Sequence, residues 1–476
     1  MMDARADGAR AGVAAADGLP TPQRHWAMAA IWLAMSMTVL DGAIANVALP
    51  TIARDLSAAP ADAIWIVNGY QLAIVVSLLP LAALGEIVGF RRIYQAGLLL
   101  FTVTSLTCAL SHSLLVLAAA RTLQGFGAAG VMSVNGALVR YTYSSRMLGR
   151  GVGLNALVVA MSAAIGPTIA SAILAVSPWP WLFAVNVPIG AASLVIAAFA
   201  LPSNPISKRP FDLPAAVLNA LSFGLLFSGV DVVVRTSAKL IGAAELALGA
   251  LAGFLLVRRE LHRPFPLVPF DLLRNRVFGL SIATSIASFT AQMLAFVALP
   301  FHFEGLLHRS EVETGLLLTP WPVAVAIAAP LAGRLADRLP AALLGGAGLI
   351  VFSAGLALLA AMPADVSNLD IIWRMAVCGL GFGFFQSPNN RLMLSTAPRE
   401  RAGAAGGMLA TARLTGQTAG AVIFAILLEF MGGRGERIAL AAAAAIALLA
   451  AAVGLMRMAR GPAPRHPDPE VESCET

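Results

Sequence analysis

Two charged residues lie inside long apolar segments of the sequence, where ionised groups are rare. Asp41 lies within the run 27–49, and Arg121 lies within the run 113–138. A charge in hydrocarbon is costly, so it is retained mainly where it faces a cavity, a partner charge or a proton path. We therefore interpret Asp41 as a functional acid, with an ion pair that merely joins two helices as the alternative. For Arg121 the alternative is a side chain that extends to the outer headgroups.

The two residues are predicted to lie at the same depth. If span 27–49 runs outward and span 113–138 runs inward, each residue lies roughly 12 Å below the outer boundary at 1.5 Å per residue. Burial favours the neutral carboxylic acid and a nearby guanidinium favours the carboxylate, so separating the pair would change the proton affinity of Asp41. Such a change is the coupling step that a proton-driven carrier needs. Gln124, one turn from Arg121, is predicted to orient it or to contact a substrate.

Composition places the chain among integral membrane proteins. Hydrophobic residues make up 58% of the 476 residues and charged residues only 12%, with a mean hydropathy of +0.81. Apolar runs long enough to cross roughly 30 Å of hydrocarbon recur along the chain, so little is left for a soluble domain. The net charge of +7 lies in short loops, which argues against nucleic-acid binding. The six histidines are scattered, so the sequence does not indicate an enzyme.

About fourteen segments are predicted to span the membrane as helices. An even number places both termini on one side. With the N-terminus assigned to the cytoplasm, 23 of the 32 Lys and Arg residues fall in cytoplasmic segments and six fall outside, as expected for basic loops on the cytoplasmic face. We therefore predict a multi-pass protein of the cell (inner) membrane with both termini cytoplasmic. The predicted spans are 27–49, 63–86, 93–111, 113–138, 149–175, 181–201, 212–233, 240–257, 277–300, 314–334, 341–361, 370–390, 402–430 and 437–457.

Internal repetition divides the predicted spans into two halves. Glu86 follows span two and Asp337 follows span ten, and each acid lies beside basic residues at the cytoplasmic end of its helix. Such acids can form a charge relay that holds two bundles together in one conformation and releases them in another. The predicted domains are a disordered arm 1–26, a six-helix bundle 27–201, two accessory helices with linkers 202–276, a second six-helix bundle 277–460 and a disordered tail 461–476.

The motifs around the two buried charges resemble those of the major facilitator superfamily, and within it the fourteen-span drug:proton antiporter subfamily of multidrug efflux type. Residues 40–50, around Asp41, are similar to the subfamily signature in span one, and residues 121–130 are similar to the family's arginine motif in span four. The resemblance covers roughly residues 26–460. It implies an all-helical fold of two six-helix bundles plus two extra central helices.

Further matches concern residues that the family uses to change conformation. Gly153, Gly166 and Pro167 in span five resemble the antiporter motif, with an ordinary proline kink as the alternative. The loops after spans two and ten resemble the superfamily's cytoplasmic motif, although Glu86 stands where Asp is usual. The resemblance implies gating by these loops. The candidate gating residues are Glu86, Gly89, Arg91, Arg92, Gly153, Gly166, Pro167, Gly333, Asp337, Arg338 and Arg413.

Neutral polar residues within the spans are candidates for a substrate cavity. The alternative for each is a hydrogen bond between helices, which is the commoner role of amides in membrane helices. The candidates are Asn46, Asn68, Tyr70, Gln71, Gln124, Asn135, Gln292, Met293, Gln386, Asn389 and Gln417, with His302 and Asn390 in the same class. The three cysteines occur singly and lack metal-ligand spacing, so we expect no metal and no cofactor.

The resemblance implies drug efflux, and the residues supply a single deep acid, a matched arginine and a large apolar interior. Together they predict a secondary transporter that uses the proton gradient to export hydrophobic small molecules, cationic ones among them, by alternating access. An exporter of an endogenous metabolite on the same fold is the first alternative, and a non-transporting membrane sensor is a second. The expected partners are a small-molecule substrate, protons and the lipid bilayer. Further efflux components and the oligomeric state are left open by the sequence.

Overall fold

The computed structural model describes residues 18–456, except 59, 64, 208–209, 236–238, 262, 264–269, 310, 364, 399–400 and 432–434. The predicted arm 1–26 lies mostly outside this range and the predicted tail 461–476 entirely outside it. The described residues are helical or irregular, with no strand among them. Nine helices in this part of the chain are long and apolar enough to cross a membrane. The number of crossings, fourteen by sequence, therefore stays a prediction.

Each predicted span coincides with a long helix. Apolar residues of high helix propensity, above all Ala and Leu, fill these segments, and helices satisfy their backbone hydrogen bonds internally as hydrocarbon requires. The helices are α1 Gln23–Asp55, α2 Trp65–Val88, α3 Phe90–Ala109, α4 Leu114–Thr142, α5 Leu148–Val176, α6 Asn186–Ala200, α7 Leu213–Arg235, α8 Lys239–Glu260, α9 Arg276–Phe301, α10 Pro320–Ala336, α11 Ala341–Ala360, α12 Asn368–Thr396, α13 Ala402–Met431 and α14 Gly435–Leu455.

Helix packing repeats between the two halves of the chain. In the first half α4 packs against α2 and α3, and α1 packs against α5 and α6. In the second half α12 packs against α10 and α11, and α9 packs against α13 and α14, which is the same pattern eight helices later. The halves meet where α5 contacts α10 and where α2 contacts α13. Helices α1–α6 and α9–α14 thus form two related six-helix bundles.

Helices α7 and α8 stand apart from this repeat. They pack mainly against each other, and α7 contacts α2 of the first bundle. Many of their large apolar side chains are exposed, including Leu240 and Phe254, as expected for a surface that faces lipid rather than water. At the start of α7, Asp212 pairs with Arg259 at 3.1 Å. Hydrogen bonds from Ala215 and Arg259 and the charges of Arg259 and Arg263 outweigh burial and lower the pKa of Asp212.

Glycines permit the closest helix contacts in both bundles. A Cβ atom on Gly97 of α3 would lie 2.8 Å from the carbonyl oxygen of Gly127 on α4. A Cβ atom on Gly348 of α11 would likewise lie 2.8 Å from the carbonyl oxygen of Gly381 on α12. Helices that approach so closely gain extensive van der Waals contact, which drives association where water is absent. These pairs fix the positions of α4 and α12, which line the space between the bundles.

Candidate functional site: a central cavity beside a buried ion pair

Asp41 and Arg121 form an ion pair in the interior of the first bundle. Arg121 Nη1 on α4 donates to Asp41 Oδ2 on α1, and the two side chains are 0% exposed for Arg121 and 1% exposed for Asp41. The structure thus brings together the two residues that the sequence predicts to lie at one depth. The alternative, in which the guanidinium reaches the outer headgroups, is wrong because the side chain is fully enclosed.

Neutral groups complete the surroundings of the carboxylate. Gln124 Nε2 donates to Asp41 Oδ1 at 3.2 Å, and Asn186 Nδ2 on α6 donates to the same oxygen at 3.0 Å. Gln124 also accepts from Arg121 Nη1 at 2.7 Å and donates to Ser105 Oγ at 2.7 Å. Four helices of the first bundle thus meet at the carboxylate of Asp41, which lies on α1. Helices α4 and α6 supply the hydrogen-bond donors, and Ser105 of α3 holds Gln124 in place.

Tyr70 separates this network from the space between the bundles. Its hydroxyl group donates to the carbonyl oxygen of Thr38 at 2.9 Å, and its ring lies over the Arg121 guanidinium, 4.2 Å from centroid to Cζ. Tyr70, Thr38 and Gly42 line the cavity, whereas Asp41 does not. The ion pair is therefore one side chain away from the cavity.

The cavity between the bundles has a main chamber of about 600 Å³ and a smaller adjoining chamber of about 80 Å³. Both bundles contribute to its wall, which is mostly aromatic and aliphatic with interspersed amides, as in many small-molecule sites. Phe289, Gln386 and Arg413 border both chambers. The polar side chains of the wall are Thr38, Tyr70, Gln71, Asn135, Asn155, Gln292, Gln386, Asn390, Arg413 and Gln417.

Eight of the predicted cavity residues border this space, and four do not. Those that line it are Tyr70, Gln71, Asn135, Gln292, Met293, Gln386, Asn390 and Gln417. Asn68 is buried outside the lining, Gln124 belongs to the ion-pair network, and Asn389 donates to Ser285 Oγ at 2.8 Å, a link between α12 and α9. The last two follow the alternative role of amides as bonds between helices. The side chain of Asn46 lies outside the described residues.

Arg413 is predicted as a gating residue, and this role stays a prediction. It lies on α13, well inside the helix, and borders the cavity rather than the end of the bundle. His302 is placed differently from expectation. It is fully buried at the end of α9, with Nδ1 3.8 Å from Glu436, and it is not among the residues that line the cavity.

One ion-pair cluster joins the bundles at the end of the molecule where α1 begins, which we name the N face. Arg401, directly before α13, pairs with Glu86 of α2 at 3.2 Å and with Asp271 at 2.8 Å. The backbone N–H of Ala404, in the first turn of α13, donates to Glu86 Oε1 at 2.6 Å. A carboxylate at a helix N-terminus accepts from unpaired N–H groups and is favoured by the helix dipole. Glu86 therefore holds the first bundle to the second.

A second cluster at the N face mirrors the first with the bundles exchanged. Asp337, at the end of α10, accepts from the backbone N–H of Gly149 at 2.9 Å and of Arg150 at 3.2 Å in the first turn of α5. It also pairs with Arg391 of α12 at 3.1 Å. We name the Glu86 and Asp337 clusters the two N-face latches. In each, an acid at the end of one bundle's helix caps a helix of the other bundle.

The predicted gating arginines have surroundings other than the latches. Arg91 donates to the carbonyl oxygen of Ala198 and Arg92 to that of Val88. Among the described residues, the basic members of the latches are Arg391 and Arg401 instead of Arg91, Arg92 and Arg338. The gating role predicted for Arg91, Arg92 and Arg338 stays a prediction.

The predicted gating glycines and proline lie at helix starts and helix crossings. Gly89 has a φ angle of 113° and directly precedes α3, a conformation that side chains disfavour. Gly153 and Gly333 lie where α5 crosses α10. Helix α5 runs unbroken through Gly166 and Pro167.

Asn186, Ser105, Arg401 and Asp271 belong to these sites although they are absent from the predicted set. Asn186 is a neutral amide close to the predicted start of span six, and such residues are common. Arg401 and Asp271 lie in polar loops, where charge is ordinary. No local signal distinguishes them, because their partners are far away in the sequence. Among the described residues, no group of three or more His, Cys, Asp or Glu side chains is placed to hold a metal ion.

Two related six-helix bundles around a central cavity define the class of helical membrane transporters. The sequence matches the Major Facilitator Superfamily over residues 31–421. The chain belongs to this superfamily, and it is a multi-pass membrane protein with several membrane-spanning helices.

The chain is similar to several named transporters along most of its length. It is 54% identical to the "Uncharacterized transporter YebQ" of Escherichia coli, over 93% of this chain and 97% of the relative. It is 31% identical to the "Riboflavin transporter RibZ" of Clostridioides difficile, over 80% of this chain and 83% of the relative. It is also 31% identical to the "Multidrug resistance protein Stp" of Mycobacterium tuberculosis, over 83% of this chain and 73% of the relative.

A solved structure supports the fold independently. The human organic anion transporter MFSD10 aligns over 91% of this chain and 100% of its own, with a TM-score of 0.66 and 14% sequence identity. At this identity the likeness concerns the fold alone.

Proposed function

We propose that this transporter exports hydrophobic small molecules in exchange for protons, and that Asp41 is the proton-coupling acid with Arg121 as its electrostatic partner. The observation that carries the proposal is the Asp41–Arg121 ion pair, buried one side chain away from a cavity that both bundles line. Protonation of Asp41 removes the negative charge that holds Arg121. The guanidinium must then find other acceptors, which would move α4 relative to α1 and thereby change the cavity wall.

The N-face latches supply the second half of the mechanism. In this conformation both are closed, so the bundles are held together at the N face. Opening that face requires the two acids to leave the helix N-termini of α5 and α13. We infer that the N face is cytoplasmic, because basic residues accumulate there, and that the conformations alternate by rocking of one bundle against the other. The proposed location is the inner membrane, with helices α1–α14 all crossing it.

The family assignment leaves the cargo open, since one fold hosts many substrates. The relative named for multidrug resistance favours drug-like molecules. The relative named as a riboflavin transporter favours the alternative, a transporter of an endogenous metabolite. Both alternatives use the same cavity and the same proton site, so the proton-coupling test applies to either.

The test uses the purified protein in proteoliposomes with an imposed pH gradient and a panel of lipophilic fluorescent compounds. Asp41→Asn keeps the size of the side chain and removes the titratable group, so gradient-driven transport should be lost. Asp370→Asn removes a carboxylate that is exposed on α12 and serves as the matched control, with transport unchanged. Full gradient-driven transport by Asp41→Asn would refute the proposed proton site.

A further inference from the structure

Arg413 is the one charged side chain among the described residues that line the cavity. No described Asp or Glu is part of that lining, and the other polar groups of the wall are amides and hydroxyls. Because Arg413 borders both chambers, its charge acts on the whole cavity. The electrostatic character of the site is therefore set by a single cation.

Within the described part of the chain, this guanidinium has no counter-charge. Its Nε atom is buried and lacks a hydrogen-bond acceptor, and Arg413 forms no ion pair with any described carboxylate. The other arginines of the interior differ: Arg121 pairs with Asp41, and Arg401 pairs with Glu86. A half-buried cation within a membrane helix is expensive when it has no counter-charge, so it is retained mainly where an anion or water can compensate it.

The backbone next to Arg413 is fixed against the neighbouring helix. A Cβ atom on Gly416 would lie 2.5 Å from the carbonyl oxygen of Ile286 on α9, and one on Gly420 would lie 2.8 Å from the backbone nitrogen of Leu294. This close packing of α13 on α9 leaves little freedom for the helix to turn Arg413 away from the cavity. Asp41 cannot serve as its partner in this conformation, because that carboxylate is 1% exposed and already holds Arg121.

Much of the wall of the main chamber suits an apolar body. Phe289, Phe296, Trp321 and Phe382 border the main chamber together with Val325. Trp321 packs against Phe296 at 4.7 Å between ring centroids, and its indole Nε1 is a buried donor without an acceptor. The cavity thus combines aromatic surface with the guanidinium of Arg413, and its volume of about 600 Å³ lies in the range of small-molecule sites.

We propose that the substrate is an amphipathic organic anion, an aromatic body that carries a carboxylate or a similar oxyanion, and that Arg413 binds its charged group. The proposal rests on the proposed transport function and deepens it. An oxyanion would supply the acceptors that the guanidinium lacks, in a planar geometry that matches it. A cationic substrate would instead meet an uncompensated positive charge without any carboxylate in the described lining. The sequence-based expectation that included cations is thus replaced by a preference for anions.

The test measures binding without a pH gradient. The probes are 2-naphthoate, 2-naphthamide and 2-naphthamidine, which share ring and planar head group and differ in charge. Calorimetric titrations use the full chain in nanodiscs of zwitterionic phosphatidylcholine, so that no anionic lipid competes, with empty nanodiscs subtracted. We expect 2-naphthoate to bind at least about tenfold tighter than 2-naphthamide, as a charged hydrogen-bonded pair implies, and 2-naphthamidine to bind most weakly.

Variants then assign the preference to Arg413. Arg413→Gln should reduce the affinity for 2-naphthoate to that for 2-naphthamide, whose own affinity changes little, and Arg413→Lys should keep part of the preference. Arg374→Gln removes the same charge near the start of α12, outside the cavity, and is the matched control. Thermal unfolding of each variant checks that it is folded.

Three results would overturn the proposal: no measurable binding of 2-naphthoate, equal or tighter binding of 2-naphthamidine, or a naphthoate preference that survives in Arg413→Gln. The outcome is independent of the proton site. Loss of gradient-driven transport with an intact anion preference, or the reverse, would separate the two proposals.

Discussion

The ring of Tyr70 stacks on the guanidinium of Arg121, with 4.2 Å between the ring centroid and Cζ. Because Tyr70 also borders the cavity, it forms the partition between the space for the substrate and the Asp41–Arg121 pair. A proton that reaches Asp41 from the cavity must pass this ring. Coupling between substrate and proton therefore depends on a single aromatic side chain in this conformation.

Removing the ring should uncouple the two processes. We expect Tyr70→Ala to open the ion pair to the cavity and to allow proton flux in the absence of substrate. Tyr70→Phe keeps the ring and loses only the hydrogen bond to Thr38, so it should remain coupled. A pH-sensitive dye inside proteoliposomes measures the leak. If Tyr70→Ala showed no proton leak and transported substrate normally, the ring of Tyr70 would have no role in coupling.

Arg121 is expected to set the pH dependence of transport through its charge. In Arg121→Ala, Asp41 stays buried without a counter-charge and retains its proton to higher pH, so the residual transport should shift its optimum upward. Arg121→Lys restores the charge without the planar fork and should recover part of the activity. Transport rates measured across a series of pH values test this prediction. An unchanged pH profile in Arg121→Ala would contradict the proposal that Arg121 is the electrostatic partner of Asp41.

Asp41 and Arg121 are conspicuous in the sequence because charges in hydrocarbon are rare and costly. The contact of Asn186 with Asp41 is not predictable in this way, because it depends on how α6 packs on α1. The same limit applies to the latches. Glu86 and Asp337 are visible as repeated acids, whereas Arg401 is paired over a separation of more than three hundred residues.

Arg413 lies at the depth that the predicted span implies. Both the predicted span 402–430 and α13 begin at residue 402, and about eleven residues of helix rise roughly 16 Å, which is enough to reach the middle of the bundle. The helices themselves are predicted well, since apolar runs of this length form helices in hydrocarbon. The contacts among them follow from three-dimensional packing, which periodicity does not specify.

Close glycine contacts should dominate the stability of the first bundle. Gly127→Ala places a Cβ atom 2.5 Å from the backbone nitrogen of Phe101 and 2.8 Å from the carbonyl oxygen of Gly97. Neither backbone atom can move without shifting α3, so we expect a loss of about 1–3 kcal/mol, the usual cost of overpacking. Gly315→Ala meets no atom within 4 Å and is the neutral control. Thermal or denaturant unfolding in detergent compares the two, and equal stabilities would contradict the packing argument.

Orientation in the membrane can be tested with single cysteines. Cys108 and Cys378 are buried. Replacing all three native cysteines gives a protein in which only an introduced cysteine can react with the label. A cysteine at Leu369, an exposed residue in the first turn of α12 at the end of the bundle opposite the N face, should react with an impermeant maleimide added outside intact cells. A cysteine at Arg146, in the turn before α5 at the N face, should react only after the membrane is opened. The reverse pattern of labelling would invert the proposed topology.

The two N-face latches should each contribute to closure of that face. Glu86→Gln and Asp337→Asn keep the size of the side chains and remove the charge that caps α13 and α5. Loss of a charged hydrogen-bond partner costs about 1.5–3 kcal/mol, which corresponds to a shift of roughly 10- to 150-fold in the balance between closed and open conformations. Because the two latches lie on different helix pairs and share no described partner, their effects should add in the double variant.

Spin labels on the two bundles, one at Arg146 and one at Arg338, report the opening of the N face as a longer distance in pulsed electron resonance measurements. Each single variant should increase the open fraction, and the double variant should increase it further. Asp212→Asn, which weakens the contacts of this residue with Arg259, Arg263 and Ala215 and touches neither latch, is the matched control and should leave the distance distribution unchanged. If neither latch variant altered the distribution, the capping of α13 by Glu86 and of α5 by Asp337 would be packing without a gating role. Closure would then have to come from the other contacts between the bundles, among them those between α2 and α13 and between α5 and α10.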